Sequence, residues 1–362
     1  MQRVCTDCGR TYPGEGPWRC ACGSPLDLQG LPELPTEPPA LDRDAGLWAC
    51  EDFLPVEPQV TLGEGWTPLI DAEEDDVAYK LEHLFPTGSF KDRGAAVVIS
   101  HAVERGADRV LEDSSGNAGL AIATYAARAG IDATIFVPAD AKPGKLRAIE
   151  RTGADLRQVD GSRADVTAAC IEAVEAGDGY YASHAWEPLF LAGTATFALE
   201  VAAQRGWDAP DAVVTPLGHG TLFLGAARGF DRLSAAGWID DVPRLFGVQA
   251  SGVAPIAAAC GNDRDAGRND VADGIQIAEP VRRDGILDAI EASSGDAIAV
   301  TAGETEQAHD RLAARGLSVE PTSATVVAGL DRLRERGVVG ADADTLIPLT
   351  GHNSSDNPCS RP

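Results

Sequence analysis

Hydrophobic residues fall into short runs that alternate with longer segments of helical period along most of this 362-residue chain. Alternation at this spacing predicts βαβ units and therefore parallel sheets. One series lies between residues 77 and 176 and a second begins at residue 211, so we expect two α/β halves with a cleft between them. The predicted strands are residues 77–81, 109–113, 133–137, 156–159, 211–215, 244–248, 297–300 and 346–349, and the predicted helices are residues 95–105, 117–129, 143–151 and 164–176.

The segment PTGSFKDRG, residues 86–94, places one lysine between a predicted strand and the helix that follows it. Residues at such a junction face the carboxyl edge of an α/β sheet, where ligands bind. The chain has only four lysines, Lys80, Lys91, Lys142 and Lys145, although arginine is abundant. A desolvated lysine amine can lose its proton and form a Schiff base, which arginine cannot do. Lys91 is therefore a candidate nucleophile, and an ordinary basic residue in the first turn of a helix is the simpler alternative.

Three further loops at the ends of predicted strands could hold one cofactor. Residues 113–118 (DSSGNA) and 216–221 (PLGHGT) each lead into a helix, where backbone N–H groups and hydroxyls can bind an anion. Residues 349–352 (LTGH) close the last strand and present one threonine hydroxyl. For the first two loops taken alone, an ordinary helix cap or a simple connection is the alternative.

The lysine segment resembles that of the fold-type-II pyridoxal-phosphate (PLP) enzymes, and in detail that of the threonine synthases. Residues 63–69 (GEGWTPL), 247–250 (GVQA) and 320–324 (EPTSA) resemble further motifs of the same family. The resemblance implies two parallel-sheet α/β domains of the tryptophan synthase β-like architecture, with PLP as the cofactor on Lys91. It also implies that Asn117 bonds to the phenolic oxygen of PLP, that Gly218, His219, Gly220 and Thr221 hold its phosphate, that Thr350 faces its pyridine nitrogen, and that Ser114, Ser115, Gly116 and Asn117 bind the substrate carboxylate.

Four cysteines near the N-terminus form two close pairs, Cys5 with Cys8 and Cys20 with Cys22, and a glycine follows each pair. This spacing predicts a zinc ribbon with one structural Zn²⁺, and a ribbon without metal or a redox pair are the alternatives. The predicted domains are a zinc-ribbon-like module (residues 1–30), a proline-rich linker and lead-in (31–60), a larger PLP-binding domain (61–96 with 184–362) and a smaller α/β domain that carries the carboxylate loop (97–183).

The chain carries a net charge of −26, from 56 acidic and 30 basic residues. This charge argues against nucleic acid and anionic membranes as partners. Abundant Asp and Glu with arginine in place of lysine are typical of extreme halophiles, and an acidic mesophilic protein is the alternative. The sequence has no signal-like or membrane-spanning apolar run. We therefore expect a cytoplasmic enzyme with a small amino acid as substrate and a homodimer as the candidate assembly.

One stretch departs from the threonine synthase pattern. That family binds the phosphate of O-phosphohomoserine partly through an Asn-Ser-x-Asn-x-x-Arg run, and residues 184–190 (HAWEPLF) stand in its place. The arginine position is Phe190, and residues 164–204 contain no arginine or lysine. A phosphate dianion without charge-assisted partners binds poorly. We therefore expect weak or absent turnover of O-phosphohomoserine unless Arg93 or Arg147 supplies the charge.

Three functions remain open. The first is a threonine synthase-like PLP lyase that converts O-phosphohomoserine to threonine by elimination and hydration. The second is a threonine or serine dehydratase (ammonia-lyase), or a β-replacement enzyme such as a cysteate synthase-like protein. The third is a non-catalytic PLP-fold binding protein. Two segments add little: residues 353–356 (NSSD) differ from the family's usual continuation, and the polar residues 260–273 predict a surface loop.

Overall fold

The computed structural model describes residues 1–72, 77–262 and 267–352. The strands are β1 (Gln2–Cys5), β2 (Thr11–Pro13), β3 (Leu26–Gln29), β4 (Leu69–Ala72), β5 (Val77–Lys80), β6 (Arg109–Glu112), β7 (Asp132–Pro138), β8 (Asp155–Val159), β9 (Tyr180–Tyr181), β10 (Ala212–Pro216), β11 (Arg244–Ala250), β12 (Asp296–Val300) and β13 (Thr345–Pro348). The α-helices are α1 (Lys91–Glu104), α2 (Asn117–Ala129), α3 (Pro143–Glu150), α4 (Arg163–Glu175), α5 (Pro188–Gln204), α6 (Thr221–Ala235), α7 (Pro255–Ala259), α8 (Arg283–Ala292), α9 (Ala302–Ala314) and α10 (Pro321–Glu335). Short 3₁₀ segments lie at Arg43–Phe53, Glu82–Leu84 and Asp273–Ile275. Among these described elements, none has the length and apolar content that a helix needs to cross a bilayer.

The strands form three sheets. An antiparallel N-terminal sheet has the order β2-β1-β3. A four-stranded sheet has the order β8-β7-β6-β9 and is parallel throughout. A six-stranded sheet has the order β12-β11-β10-β13-β5-β4 and is parallel except for β4, which pairs antiparallel at its edge. The predicted α/β fold with parallel sheets is therefore confirmed.

The six-stranded sheet is covered on both faces, as a parallel sheet requires. Successive residues of β10 show this alternation: Val213 packs in the cluster formed with α5, α6 and α8, whereas Ala212 and Val214 pack with α9 and α10. The four-stranded sheet packs against α1, α2 and α3 on one side and against α4 on the other. The apolar runs of the sequence are thus the interior strands of two layered α/β units.

Helices α1, α5 and α6 lie unusually close together. A Cβ atom added to Gly193 of α5 would come within 2.2 Å of the carbonyl oxygen of Arg93 on α1. A Cβ atom added to Gly225 of α6 would come within 2.3 Å of Oγ1 of Thr194 on α5. Real Cβ atoms do not approach other atoms this closely, so the stacking of these three helices requires glycine at both contacts.

A fully buried ion cluster fixes the beginning of α1. The guanidinium of Arg93 bonds to both carboxylate oxygens of Glu82 and of Glu200 at 2.7–2.9 Å, and to Oγ1 of Thr196 at 3.0 Å. These five bonds use all five N–H donors of the arginine. Nζ of Lys80 lies 2.8 Å from Glu200. Two positive and two negative charges therefore balance inside the core, which makes their burial tolerable.

The N-terminal sheet packs directly on the segment before α5. Arg3 is buried and forms three hydrogen bonds of 3.0–3.1 Å to the carboxylate of Glu187. The ring of Trp18 lies edge-on to Tyr181 and Trp186, with ring centres 5.1 and 5.0 Å apart. Arg282, which immediately precedes α8, donates to backbone carbonyl groups of both β3 and the 184–187 segment. Buried polar contacts therefore attach residues 1–30 to the rest of the chain.

Candidate active site

The carboxyl ends of strands from both parallel sheets meet at a cleft of about 230 Å³. Loops that follow β6 and β9 line it on one side, and loops that follow β10 and β13 line it on the other. This is the edge at which α/β sheets bind ligands. The lining includes every position predicted to bind PLP or substrate, namely Lys91, Ser114, Ser115, Gly116, Asn117, Gly218, His219, Gly220, Thr221 and Thr350.

Lys91 is the first residue of α1, and its half-buried side chain lines the cleft. Its Nζ donates to Oγ1 of Thr221 at 3.2 Å and lies 4.1 Å from the ring centre of Phe90. Burial lowers the pKa of Lys91 to about 7, although the negative charges of Glu112 and Glu320 oppose this shift. A large fraction of the amine is therefore neutral near pH 7, which is the form that attacks a carbonyl carbon.

The loop between β10 and α6 has the shape of a phosphate cradle. Gly220 has a φ of 76°, and a Cβ atom at this position would come within 2.6 Å of the side chain of Ile286. Because α6 begins at Thr221, its first N–H groups lack helical partners and can bind an anion. Nδ1 of His219 is buried without a hydrogen-bond partner among the described residues. The glycines, the helix end and this orphaned nitrogen together fit the phosphate of PLP.

The opposite end of the cleft is organised by the beginning of α10. Nδ2 of Asn117 donates to the two carboxylate oxygens of Glu320 at 3.1 and 3.2 Å. The hydroxyls of Thr350 and Ser323 lie 3.0 Å apart. These bonds orient the amide and the hydroxyl whose roles the family resemblance implies. The divergent residues 353–356 lie outside the described part of the chain.

A carboxyl–imidazole pair that the sequence did not reveal also stands at the cleft. Nδ1 of His184 lies 2.7 Å from Oε1 of Glu112, and the backbone N–H of His184 donates to Oε2 of the same carboxyl at 3.2 Å. Burial raises the pKa of Glu112 well above its ordinary value and lowers the pKa of His184 well below its own. The two bonds to Glu112 hold the imidazole ring of His184 in place. His184 lines the cleft, so its second ring nitrogen can hydrogen-bond to a bound molecule.

The cations of the cleft differ from the two that the sequence suggested. Arg93 is enclosed in the buried ion cluster, so the suggestion that it binds the substrate phosphate is wrong. Arg147 is exposed on α3 and is not one of the residues that line the cleft, so the suggestion that it supplies the charge for the phosphate is also wrong. Phe190, at the expected arginine position, is fully buried. Lys145 of α3 and Arg163 of α4 line the cleft instead.

Sequence spacing carried no signal for these two cations, because folding of the four-stranded sheet brings α3 and α4 to the same cleft. Asp273 was also missed, since residues 260–273 were expected to form a surface loop. Its Oδ2 lies 3.0 Å from Nζ of both Lys142 and Lys145, and its side chain lines the cleft. That end of the segment therefore belongs to the site, whereas residues 263–266 lie outside the described residues.

The four cysteines predicted to bind zinc are brought together by the N-terminal sheet. The Sγ atoms of Cys5, Cys8, Cys20 and Cys22 all lie within 4.8 Å of one another. Two of the Sγ–Sγ distances are 3.5 Å, between Cys5 and Cys22, and 3.6 Å, between Cys8 and Cys20. Tetrahedral zinc with Zn–S bonds of about 2.3 Å requires sulfur atoms about 3.8 Å apart. The cluster therefore fits a single zinc ion with no open position.

Comparison with known proteins agrees with this geometry. The family model described as pyridoxal-phosphate dependent enzyme matches residues 60–351. The threonine synthase of Methanocaldococcus jannaschii is 33% identical over 378 aligned residues, which cover 98% of this chain and 93% of that protein. The threonine synthase of Methanosarcina acetivorans is 33% identical over 377 residues, covering 97% and 91%. A solved threonine deaminase structure from T.th. is 26% identical with a TM-score of 0.65, covering 81% of this chain and 94% of that one. The chain therefore belongs to the pyridoxal-phosphate dependent enzymes, as a threonine synthase-like member of that family.

Proposed function

We propose that this enzyme converts O-phosphohomoserine and water to threonine and inorganic phosphate, with PLP held on Lys91. The observation that carries the proposal is the similarity to two threonine synthases over nearly the whole chain, combined with a lysine of lowered pKa in the cleft. The N-terminal cysteines, Thr350 and residues 320–324 are consistent with the same family. Lys145 and Arg163 line the cleft and could supply the positive charge for a phosphate that Phe190, at the family's arginine position, does not.

The chain's own residues would hold the cofactor at both ends. Gly218, Gly220 and Thr221 would bind its phosphate through backbone N–H groups and a hydroxyl, and His219 would add a ring nitrogen. Thr350 would face the pyridine nitrogen, and Asn117 the phenolic oxygen. When bound, PLP supplies an electron sink that stabilises negative charge at the substrate's α-carbon.

The substrate would be oriented by its carboxylate. Residues 114–117 present two serine hydroxyls and the first N–H groups of α2 to the cleft, which suits a carboxylate. Lys91 would then remove the proton from the α-carbon, because a base with a pKa of about 7 is half neutral at physiological pH and still basic enough to act. His184, held in place by Glu112, would hydrogen-bond to the substrate through Nε2.

A second candidate is a threonine or serine dehydratase. The loop at residues 216–221 is compact, which resembles the dehydratases and cysteine synthases more than the longer loop of many threonine synthases. The similarity to the threonine deaminase structure, at 26% identity, favours the same alternative. This candidate keeps the cofactor and Lys91 and changes only the leaving group.

Product analysis distinguishes these functions. Purified protein with PLP in concentrated KCl is incubated separately with O-phosphohomoserine, threonine, serine and O-phosphoserine, and phosphate, ammonia, 2-keto acid and new amino acids are measured. We expect phosphate and threonine from O-phosphohomoserine only. Ammonia and a 2-keto acid from threonine or serine would establish the dehydratase instead, and no product from any of them would favour the non-catalytic alternative.

Borohydride reduction followed by peptide mapping tests the cofactor assignment separately. We expect a pyridoxyl group on Lys91, which is absent in a Lys91→Ala variant. A pyridoxyl group on Lys142 or Lys145 would disprove the assignment.

Several other expectations remain part of this proposal. The cysteine cluster would hold one structural zinc ion. Residues 61–96 with 184–362 would act as the PLP-binding domain, and residues 97–183 as the smaller domain. We expect a cytoplasmic protein without nucleic-acid or membrane partners. A homodimer is the candidate assembly, and sedimentation velocity in high salt would test it.

A further inference from the structure

Arg163 is a cation without a partner at the edge of the cleft. It is the first residue of α4 and lines the cleft, and no described residue forms a hydrogen bond or ion pair with it. Burial lowers the pKa of His219 to about 3, and the charge of Arg163 is the next largest cause of that shift. The same charge helps to lower the pKa of Lys91. The guanidinium therefore acts electrostatically on both the lysine and the phosphate loop.

The acidic groups around the cleft do not neutralise this arginine. Four carboxylates of the described residues lie at or beside the cleft, and each bonds to groups other than Arg163. Their partners are Tyr181 and Thr167 for Asp113, His184 for Glu112, Asn117 for Glu320, and Lys142 and Lys145 for Asp273. Thr167 lies one helical turn after Arg163 and donates to Asp113. The face of α4 that carries both residues is therefore turned toward the loop at residues 113–118.

We propose that Arg163, assisted by Lys145, binds the phosphate group at the end of the substrate's side chain. The proposal deepens the proposed function and rests on it, because it assigns a site to the phosphate of O-phosphohomoserine. A guanidinium can bond to two phosphate oxygens at once, and such charge-assisted pairs are the strongest hydrogen bonds available to the chain. Arg163 thereby supplies, from α4, the cation that Phe190 cannot supply from α5.

Lys145 should contribute less than Arg163 to phosphate binding. Its Nζ is already bonded to Asp273 at 3.0 Å, so part of its charge is compensated before any ligand arrives. It nevertheless lines the same cleft as Arg163, from its position on α3. A phosphate between the two side chains would meet the full charge of Arg163 and the partly compensated charge of the lysine.

A pair of matched ligands isolates the phosphate contact from catalysis. The first is the phosphonate analogue of O-phosphohomoserine, 2-amino-5-phosphonopentanoate, which cannot release its phosphorus group. The second is norvaline, which has the same carbon chain without the phosphonate. Their dissociation constants are measured on the PLP-loaded enzyme by the change in cofactor absorbance, at one fixed KCl concentration. Wild type, Arg163→Gln, Arg163→Lys and Lys145→Gln are compared.

The control variant is Arg151→Gln, which removes the same charge from an exposed position of the same domain that does not line the cleft. We expect Arg163→Gln to weaken phosphonate binding roughly ten- to hundredfold, to leave norvaline binding unchanged, and to leave cofactor absorbance intact. Arg163→Lys should recover part of the loss, and Lys145→Gln should show a smaller one. Arg151→Gln should behave as wild type.

Two results would overturn the assignment. Equal phosphonate affinity in wild type and Arg163→Gln would show that another group binds the phosphate. An equal loss for both ligands would show that Arg163 only supports the cleft's structure. Neither result depends on turnover. If O-phosphohomoserine gave no threonine while Arg163 still selected the phosphonate, the proposed function would fail and the anion site would stand.

Discussion

The pKa of one lysine, Lys91, sets the pH range in which this enzyme can take up its cofactor. Burial lowers that pKa to about 7, and only the neutral amine attacks an aldehyde. The amine is protonated at pH values below this lowered pKa and neutral at pH values above it. In cofactor-free protein, the rate of PLP capture should therefore rise through pH 7 and level off by about pH 8, far below the range of an ordinary lysine.

Stopped-flow absorbance across about pH 5.5–10 would measure this capture, with protein concentration, PLP and KCl held constant. The Lys91→Arg variant is the control, because arginine keeps the positive charge and cannot form the bond. A rate that continues to rise above about pH 9 would contradict the prediction, since it would mean that burial leaves the amine's pKa near its normal value.

Some residues of the cleft could be predicted from the sequence and others could not. Lys91, Asn117, Thr221 and Thr350 were all predicted and all line the cleft, because each belongs to a short motif at the end of a strand. Arg163 and the Glu112–His184 pair were not recognised as parts of the site. Their closeness depends on how separate strands and helices are arranged, and no local pattern records that arrangement.

The buried ion cluster at α1 makes a prediction about stability. Replacing Glu200 with Gln removes one of two negative charges from fully buried surroundings and leaves Arg93 and Lys80 short of a partner. Breaking a buried pair in this way typically costs about 3–5 kcal/mol of unfolding free energy. Urea denaturation at fixed KCl would measure the loss. Asp132→Asn, which removes an exposed ion pair with Arg109, is the matched control and should cost less than about 1 kcal/mol. Similar losses in both variants would contradict this account.

The cysteine cluster makes a prediction about the N-terminal sheet. Purified protein should contain about one zinc per chain, and Cys20→Ser should lose it, whereas Cys260→Ser, outside the cluster, should keep it. Because Arg3 is buried against Glu187 near the cleft, loss of the metal should also lower the unfolding temperature of the whole protein. Metal analysis and calorimetry test both statements. Full zinc content in Cys20→Ser would disprove the four-cysteine site.

Whole elements were predictable to different degrees. The parallel strands other than β9 were predicted because each is a compact apolar run bounded by turn residues. Helix α5 was not found, since nearly all of its positions are buried and it has no polar face to reveal a helical period. The two-residue strand β9 and the antiparallel edge strand β4 are too short or too polar to stand out.

At the scale of the whole molecule, the charge of −26 should govern stability in salt. Repulsion among surface carboxylates acts over distances that salt screens, and the Debye length falls from about 10 Å at 0.1 M to about 3 Å at 1 M. The unfolding temperature should therefore rise steeply as KCl increases over this range. The neutral osmolyte sucrose is the control, because it stabilises without screening charge. An unfolding temperature that stays constant or falls in KCl would support an ordinary acidic protein.

The close stacking of α1, α5 and α6 has a consequence for how this enzyme can change over evolutionary time. Lys91 on α1 bonds to Thr221 on α6, and the helix stack between them contains Gly193 and Gly225, neither of which lines the cleft. Alanine at either site would push two neighbouring helices apart and should shift Lys91 relative to Thr221. Selection on the reaction therefore extends to positions that carry no side chain, whereas the opposite wall, built on α3 and α4, can exchange residues and substrates while the lysine stays in place.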